Sequence, residues 1–230
     1  MKYRNVFFDL DDTLWATLKN SRETFHQVYD EFHYERFFNS FDSFFNIYMT
    51  RNLQLWDAYD DNKITKEDLN KERFYHPLEF VGIYDKNLAD RFSKRFFEII
   101  PTKTGVMPYA KDLLEYLYPR YNLYILSNGF RGLQETKMKA AGLFEYFKDI
   151  ILSDDIKVNK PHAELYQYAF TRTRSKPEDS IMVGDSWKND VVGASNVGLS
   201  QIFYNVDNRT DFSIQPTYVV KSLKEIEHIL

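Results

Sequence analysis

From residue 101 onward, short apolar runs and amphipathic stretches take turns, and this alternation limits the fold more than any other feature of the chain. The runs at 122–126, 148–152, 180–183, 200–204 and 218–220 have the length and the branched or aromatic content of strands. Between them, apolar spacing predicts helices over 108–118, 131–141, 161–171 and 189–197, with a closing helix over 223–230. Gly142 and Gly198 stand where such helices stop, and Pro161 suits a first helical position. An aromatic run at 5–8 adds a strand at the start of the chain. Strands alternating with helices of this length form a parallel sheet covered on both faces. The fold class is therefore α/β, with a Rossmann-like parallel sheet core.

Between 17 and 100 no strand signal appears. Phe25, Val28, Tyr29 and Phe32 recur at helical spacing, as do Phe37, Phe41, Phe45 and Tyr48, and then Leu88, Phe92, Phe96 and Ile99. Thr65-Lys66-Glu67-Asp68 has the form of a capping box with Asp in place of Glu, opening a further helix. The domain reading is an α/β core of 1–16 and 100–230, interrupted by an all-helical cap over 17–99. Tyr48, Arg51 and Trp56 either contact a ligand from this segment or, as expected here, serve as two packing aromatics and a surface arginine. Aromatic residues make up 17% of the chain, and their density in this segment makes it a candidate surface for a homodimer.

In a parallel α/β sheet the ligand site lies beyond the carboxyl ends of the strands, near the point where strand order reverses. Four predicted strand ends carry chemistry. The first opens into Asp9, Asp11 and Asp12, three carboxylates in four positions, followed by Thr13. Taken alone, this stretch reads either as a solvated turn with a helix cap or as charge awaiting a hard cation with oxygen ligands. The second end is Ser127-Asn128-Gly129, a hydroxyl and a glycine turn whose N–H groups can face an anion. After the third comes Lys160-Pro161, a cation at the mouth of a helix. The fourth runs from Gly184 and Asp185 to Asp190, two acids five positions apart. Clustered acids, a lysine and a serine converging on one rim form an inventory for binding Mg²⁺ and a phosphate together. Trp187, inside the fourth stretch, either floors a substrate pocket or covers the rim of the sheet.

Composition removes several function classes. The net charge is -4 with no basic run, which excludes a nucleic acid polymer or an anionic membrane surface as the expected partner. Cysteine is absent, so there is no thiol nucleophile and no cysteine-ligated metal. No apolar run approaches the ~20 residues of a membrane helix. The apolar run at 5–8 is broken by Asp9 and lacks the form of a signal peptide, so a cytoplasmic location is expected. The five histidines are scattered without ligand spacing.

The stretches FFDLDDTL, ILSNGF, the Lys-Pro pair of VNKPHAELY and IMVGDSWKND, in that order at successive strand ends, resemble the motifs of the haloacid dehalogenase (HAD) superfamily of aspartate-nucleophile phosphohydrolases. The resemblance covers 1–15 and about 100–230, and the helical insert matches the position of that family's first-type cap. The wording of ILSNGF and the length of the insert are most similar to bacterial pyrimidine 5'-nucleotidases.

This resemblance implies roles. Asp9 becomes the nucleophile that forms an aspartyl phosphate, and Asp11 protonates the leaving oxygen and later activates water. Asp9, the backbone carbonyl of Asp11 and Asp185 would hold Mg²⁺, with Asp190 behind them or reaching the metal through water. Ser127 and the backbone N–H of Asn128 would grip the phosphoryl oxygens, with Lys160 offsetting charge. Asp12 stands where the family often has Gly and reads as structural, while Thr13 reads as a turn hydroxyl or a ligand contact. Ala163 replaces a second Pro found in many relatives, which touches the helix start and not the chemistry. The implied function is a Mg²⁺-dependent phosphatase of a small phosphorylated metabolite, with nucleoside 5'-monophosphates favoured. A sugar-phosphate phosphatase or phosphomutase would share the catalytic set. Asp11 argues against a dehalogenase of the same fold, and the helical insert against a non-enzymatic phospho-acceptor module. The insert is expected to act as a lid.

Overall fold

The computed structural model describes residues 2–230. Six strands, β1 (Asn5–Phe8), β2 (Asn122–Ser127), β3 (Asp149–Leu152), β4 (Ser180–Gly184), β5 (Ser200–Tyr204) and β6 (Tyr218–Val220), form one parallel sheet in the order β3-β2-β1-β4-β5-β6. Successive strands step from β1 through β2 to β3 on one side and through β4 to β6 on the other. The order therefore reverses beside β1, and the crevice for a ligand lies at its carboxyl end.

Register explains the core. Phe7 aligns with Tyr124 on one neighbour and Met182 on the other, and Leu126 aligns with Ile151. These side chains share one face and pack with Leu165, Tyr166, Ala169 and Ala194. Val6 and Phe8, which point to the opposite face, are equally buried, so both faces are covered as a parallel sheet requires.

The helices are α1 (Thr17–Glu31), α2 (Phe41–Asp60), α3 (Lys66–Phe80), α4 (Lys86–Ile99), α5 (Ala110–Leu117), α6 (Arg131–Ala141), α7 (Ala163–Thr173) and α8 (Gly193–Asn196). Helix α6 ends on Gly142, whose φ of 68° is the left-handed C-cap that its sequence position predicts. Three other expectations are corrected. Pro161 does not open α7: it follows a cis peptide bond with Lys160 and precedes the N-cap His162. The expected helix over 189–197 is a π-helical turn, Trp187–Val192, running into the short α8. The closing helix is a 3₁₀ segment, Leu223–His228.

The chain divides into two compact units, one comprising the chain up to Thr17 with Thr104–Leu230 and the other Leu18–Lys103. The second unit is built around Phe25, whose ring centroid lies 4.2 Å from Tyr48 and 4.3 Å from Phe96. Ser40 caps α2, and Thr65 with Asp68 forms the predicted capping box of α3. The helical spacing from Phe37 to Tyr48 is not one helix. His33 is left-handed, a 3₁₀ turn follows over Tyr34–Arg36, and α2 starts only after Ser40. Tyr48 is buried among these rings, while Arg51 is partly exposed and pairs with Glu72 at 3.8 Å. Among the described residues no helix is long and apolar enough to cross a membrane.

Candidate active site

The four chemical stretches meet at the carboxyl end of β1. Asp9 follows directly after the strand, and its N–H donates to the Val183 carbonyl of β4 at 2.9 Å. The chain then turns sharply. Asp12 has a φ of 58°, the left-handed region that glycine enters freely and Asp tolerates better than most residues. That conformation accounts for an Asp at a position where glycine is the usual solution.

Lys160 is the hub. Its side chain is 2% exposed, and Nζ donates to Asp9 Oδ1 at 2.7 Å, to Asp190 Oδ1 at 2.6 Å and to the Leu126 carbonyl at 2.8 Å. Burial disfavours the ammonium, but Asp190 and Asp9 outweigh it and raise the lysine above its ordinary value. Asp190 is thus an integral ion-pair partner; its other oxygen accepts the Ser186 N–H at 3.0 Å. Gly184 makes this possible, because a Cβ there would overlap the Asp190 carboxylate.

Asp9, Asp185 and Asp190 each offer an oxygen within 4.8 Å of the others. Burial first, then Asp190, pushes the Asp185 carboxyl up to about 7, against the pull of the Thr13 hydroxyl. Burial also drives Asp9 well above the ordinary carboxylate range, helped by Asp190, Asp185 and Asp11 and opposed by Lys160. Three crowded acids with one lysine among them carry more negative charge than that lysine balances. A hard, oxygen-seeking divalent cation fits this donor set. Asp190 completes that trio, with its two oxygens already engaged by Lys160 and Ser186; the sequence reading has it behind the metal or reaching it through water, and has Asp11 contribute its backbone carbonyl.

Ser127 ends β2 and is buried, and its Oγ accepts the Gly129 N–H at 3.1 Å. The Asn128 side chain is committed to the Lys160 loop. Its Nδ2 donates to the Lys160 carbonyl at 2.9 Å and its Oδ1 accepts the Lys160 N–H at 2.7 Å. Any contribution of Asn128 to an anion would come from its backbone.

Sequence reasoning missed the partners of Asp11. Thr17 Oγ1 donates to Asp11 Oδ1 at 2.7 Å, Lys137 Nζ lies 2.8 Å from the same oxygen, and Gln134 Nε2 donates to Oδ2 at 2.6 Å. Burial favours the neutral acid, but Lys137, then Thr17 and Gln134, hold Asp11 below the ordinary carboxylate range. The signal available in the sequence was a Gln and a Lys on the buried stripe of α6 beside Met138 and Ala141. Thr13 is also more than a turn residue, since its hydroxyl donates to Asp185. Trp187 covers the rim of the sheet: its ring stacks on Phe212 at 5.1 Å, meets Phe203 edge-on at 5.4 Å and lies under the Arg209 guanidinium.

A family model of haloacid dehalogenase-like hydrolases matches residues 3–198. The chain belongs to that family. Among curated proteins, this HAD-like hydrolase is 30% identical to the HAD-hydrolase YfnB of Bacillus subtilis, covering 100% of this chain and 96% of the relative. It is also 30% identical to the pyrimidine 5'-nucleotidase YjjG of Escherichia coli, covering 100% and 99%. A magnesium-bound crystal structure of Bacillus subtilis YfnB matches the hydrolase with a TM-score of 0.90 at 28% identity, covering 100% of this chain and 99% of that one.

Proposed function

We propose that the protein hydrolyses small phosphomonoesters with Mg²⁺, that nucleoside 5'-monophosphates are its substrates, and that Asp9 is its nucleophile. At the coarser level it is a phosphatase of the HAD-like hydrolase family, a phosphoric monoester hydrolase. The observation that carries the reading is the pairing of Asp9 with Lys160 at 2.7 Å inside a trio of acids, with Asp11 two positions on and held apart from that trio. On this reading one carboxylate attacks and the other moves a proton. The nucleotide preference draws support from the curated 5'-nucleotidases that match nearly the whole chain.

Asp9, Asp185 and the Asp11 carbonyl, with Asp190 beside them, are the groups proposed to hold Mg²⁺. The bound cation would supply charge neutralisation for a phosphate approaching this acidic site. Lys160, fixed between Asp9 and Asp190, aligns the Asp9 carboxylate and offsets repulsion with the incoming dianion. Asp9 attacks phosphorus as the bond to the leaving oxygen breaks, and Asp11 gives that oxygen a proton. In the second half, Asp11, now a carboxylate, takes a proton from the water that attacks the aspartyl phosphate, releasing inorganic phosphate and restoring Asp9. Lys137 favours the carboxylate needed in that second half. The charge of a bound ester opposes Lys137 and favours proton uptake on Asp11 for the first. Ser127 Oγ and the backbone N–H groups that follow are proposed to bind the phosphoryl oxygens.

The test is phosphate release from a panel of nucleoside 5'-monophosphates and sugar phosphates with Mg²⁺ and with EDTA, alongside Asp9→Asn. EDTA-sensitive release lost in Asp9→Asn is the expected result, with a nucleotide as the best ester. Preference for a sugar phosphate overturns the nucleotidase assignment. Undiminished release by Asp9→Asn overturns the nucleophile.

A further inference from the structure

One face of α6 grips Asp11 by both carboxylate oxygens. Lys137 and Gln134 are three positions apart on that helix and so lie on one side of it. The Lys137 side chain is 7% exposed, 2.8 Å from Asp11 Oδ1, with Nζ also 4.4 Å from the centroid of the Trp15 ring. Gln134 is fully buried, and its Nε2 bridges Asp11 Oδ2 at 2.6 Å and Ser127 Oγ at 3.0 Å. Its own carbonyl oxygen is buried without a hydrogen-bond partner. A glutamine kept for packing alone would not leave that acceptor orphaned, because an unmet buried acceptor costs stability. Gly129 is shaped to the same end, since a Cβ there would overlap the Gln134 amide. The Lys137–Asp11 pair is part-buried: the lysine lies inside while 30% of the Asp11 side chain stays exposed, so the acid is held on one side and open on the other. Helix α6 begins just after the Ser127 turn, so one rigid element reaches both the proposed phosphate-binding hydroxyl and the proposed proton donor.

We propose that Lys137 and Gln134 are positioning residues: they set the orientation of the Asp11 carboxylate relative to Ser127, and so its delivery of a proton to the leaving oxygen. The inference rests on the phosphatase reading and on Asp11 as its acid. Lys137 supplies the directional counter-charge, and Gln134 ties the acid to the turn that would seat the phosphate. Without either, the carboxylate rotates away from the ester oxygen it must meet, and small misplacements of this kind cost much of a proton-transfer advantage.

The experiment compares kcat/KM for the alkyl phosphate turned over best in the panel with kcat/KM for p-nitrophenyl phosphate. The alcohol must be protonated as it leaves, and the nitrophenolate need not be. Because kcat/KM reports only steps up to the first irreversible one, the alkyl-to-aryl ratio isolates proton delivery. Lys137→Met and Gln134→Met are each expected to lower that ratio by about tenfold or more, with Lys137→Arg recovering part of the loss. Circular dichroism and Mg²⁺ calorimetry confirm that the variants are folded and loaded, and Gln134→Met carries the test if Lys137→Met does not fold. An unchanged ratio in the folded variants, including an equal loss on both esters, overturns the proposal. Asp11→Asn separates the two levels. If it lowers the ratio while the α6 variants do not, Asp11 keeps its role and the positioning proposal fails. If it also leaves the ratio unchanged, the acid assignment fails and the positioning proposal with it.

Discussion

Thr13 and Asp185, 172 positions apart in the chain, hold each other by two hydrogen bonds: the Thr13 hydroxyl donates to Asp185 Oδ1 at 2.6 Å and accepts the Asp185 N–H at 3.1 Å. One hydroxyl between β1 and β4 thereby fixes both the backbone and the carboxylate of a proposed metal ligand. Groups that orient a ligand from behind typically matter by 10–100-fold in metal affinity. Thr13→Val keeps the shape and removes the hydrogen bonds. Calorimetry should show Mg²⁺ binding weakened by about tenfold, and unchanged affinity would remove Thr13 from the site.

The acidic cluster makes the metal-free protein sensitive to pH. The folded-state pKa of Asp185 is pushed up to about 7, and Asp9 moves in the same direction. An unfolded carboxylate titrates near ~4, so between roughly 4 and 7 the folded state binds the proton more tightly. Stability from these groups therefore rises as pH falls through 7 and is lost as pH rises. With EDTA present, the melting temperature should be higher at about pH 6 than at about pH 8. Mg²⁺ competes with those protons, so its stabilising effect should be larger at the higher pH. Scanning calorimetry under the four conditions checks both statements, and the opposite order would refute them.

Gly184 and Gly132 make opposite predictions. A Cβ on Gly184 would overlap the Asp190 carboxylate, which Lys160 holds at 2.6 Å, whereas a Cβ on Gly132 meets nothing within 4 Å. Gly184→Ala should break a buried ion pair, cost about 3 kcal/mol in urea unfolding and abolish most turnover. Gly132→Ala, inside α6, should be neutral or stabilise by up to about 1 kcal/mol. Equal effects would mean that the Asp190 contact carries little.

In the helical unit, Phe25 is fully buried and meets the rings of Phe44, Phe45, Tyr48, Phe92 and Phe96. Phe25→Ala should destabilise that unit by about 3–5 kcal/mol. A change below about 1 kcal/mol in its unfolding transition would show that the cluster repacks around the missing ring.

The sequence by itself determined whatever is carried by short-range pattern. The apolar run ending at Phe8, the alternation after residue 101, the Gly142 stop and the Thr65–Asp68 capping box are each set by neighbours within a few positions, and they are found as expected. Strand ends in a parallel sheet all open on one rim, so Asp9, Ser127, Lys160 and Asp185 could be assigned to one place before their distances were known. Where local signals competed, pattern was insufficient. Pro161 fits a helix start by composition yet sits before His162, and the apolar spacing of 37–48 crosses a left-handed residue and a new N-cap. Only the tertiary structure decided which side chains face one another. Lys137 reaches Asp11 across 126 positions, Gln134 reaches it across 123, and Thr13 finds Asp185 across 172. A polar residue on a buried helix stripe announces that it has a partner, because burying it alone is costly. Its identity depends on strand order and register, which are properties of the assembled sheet rather than of any one segment.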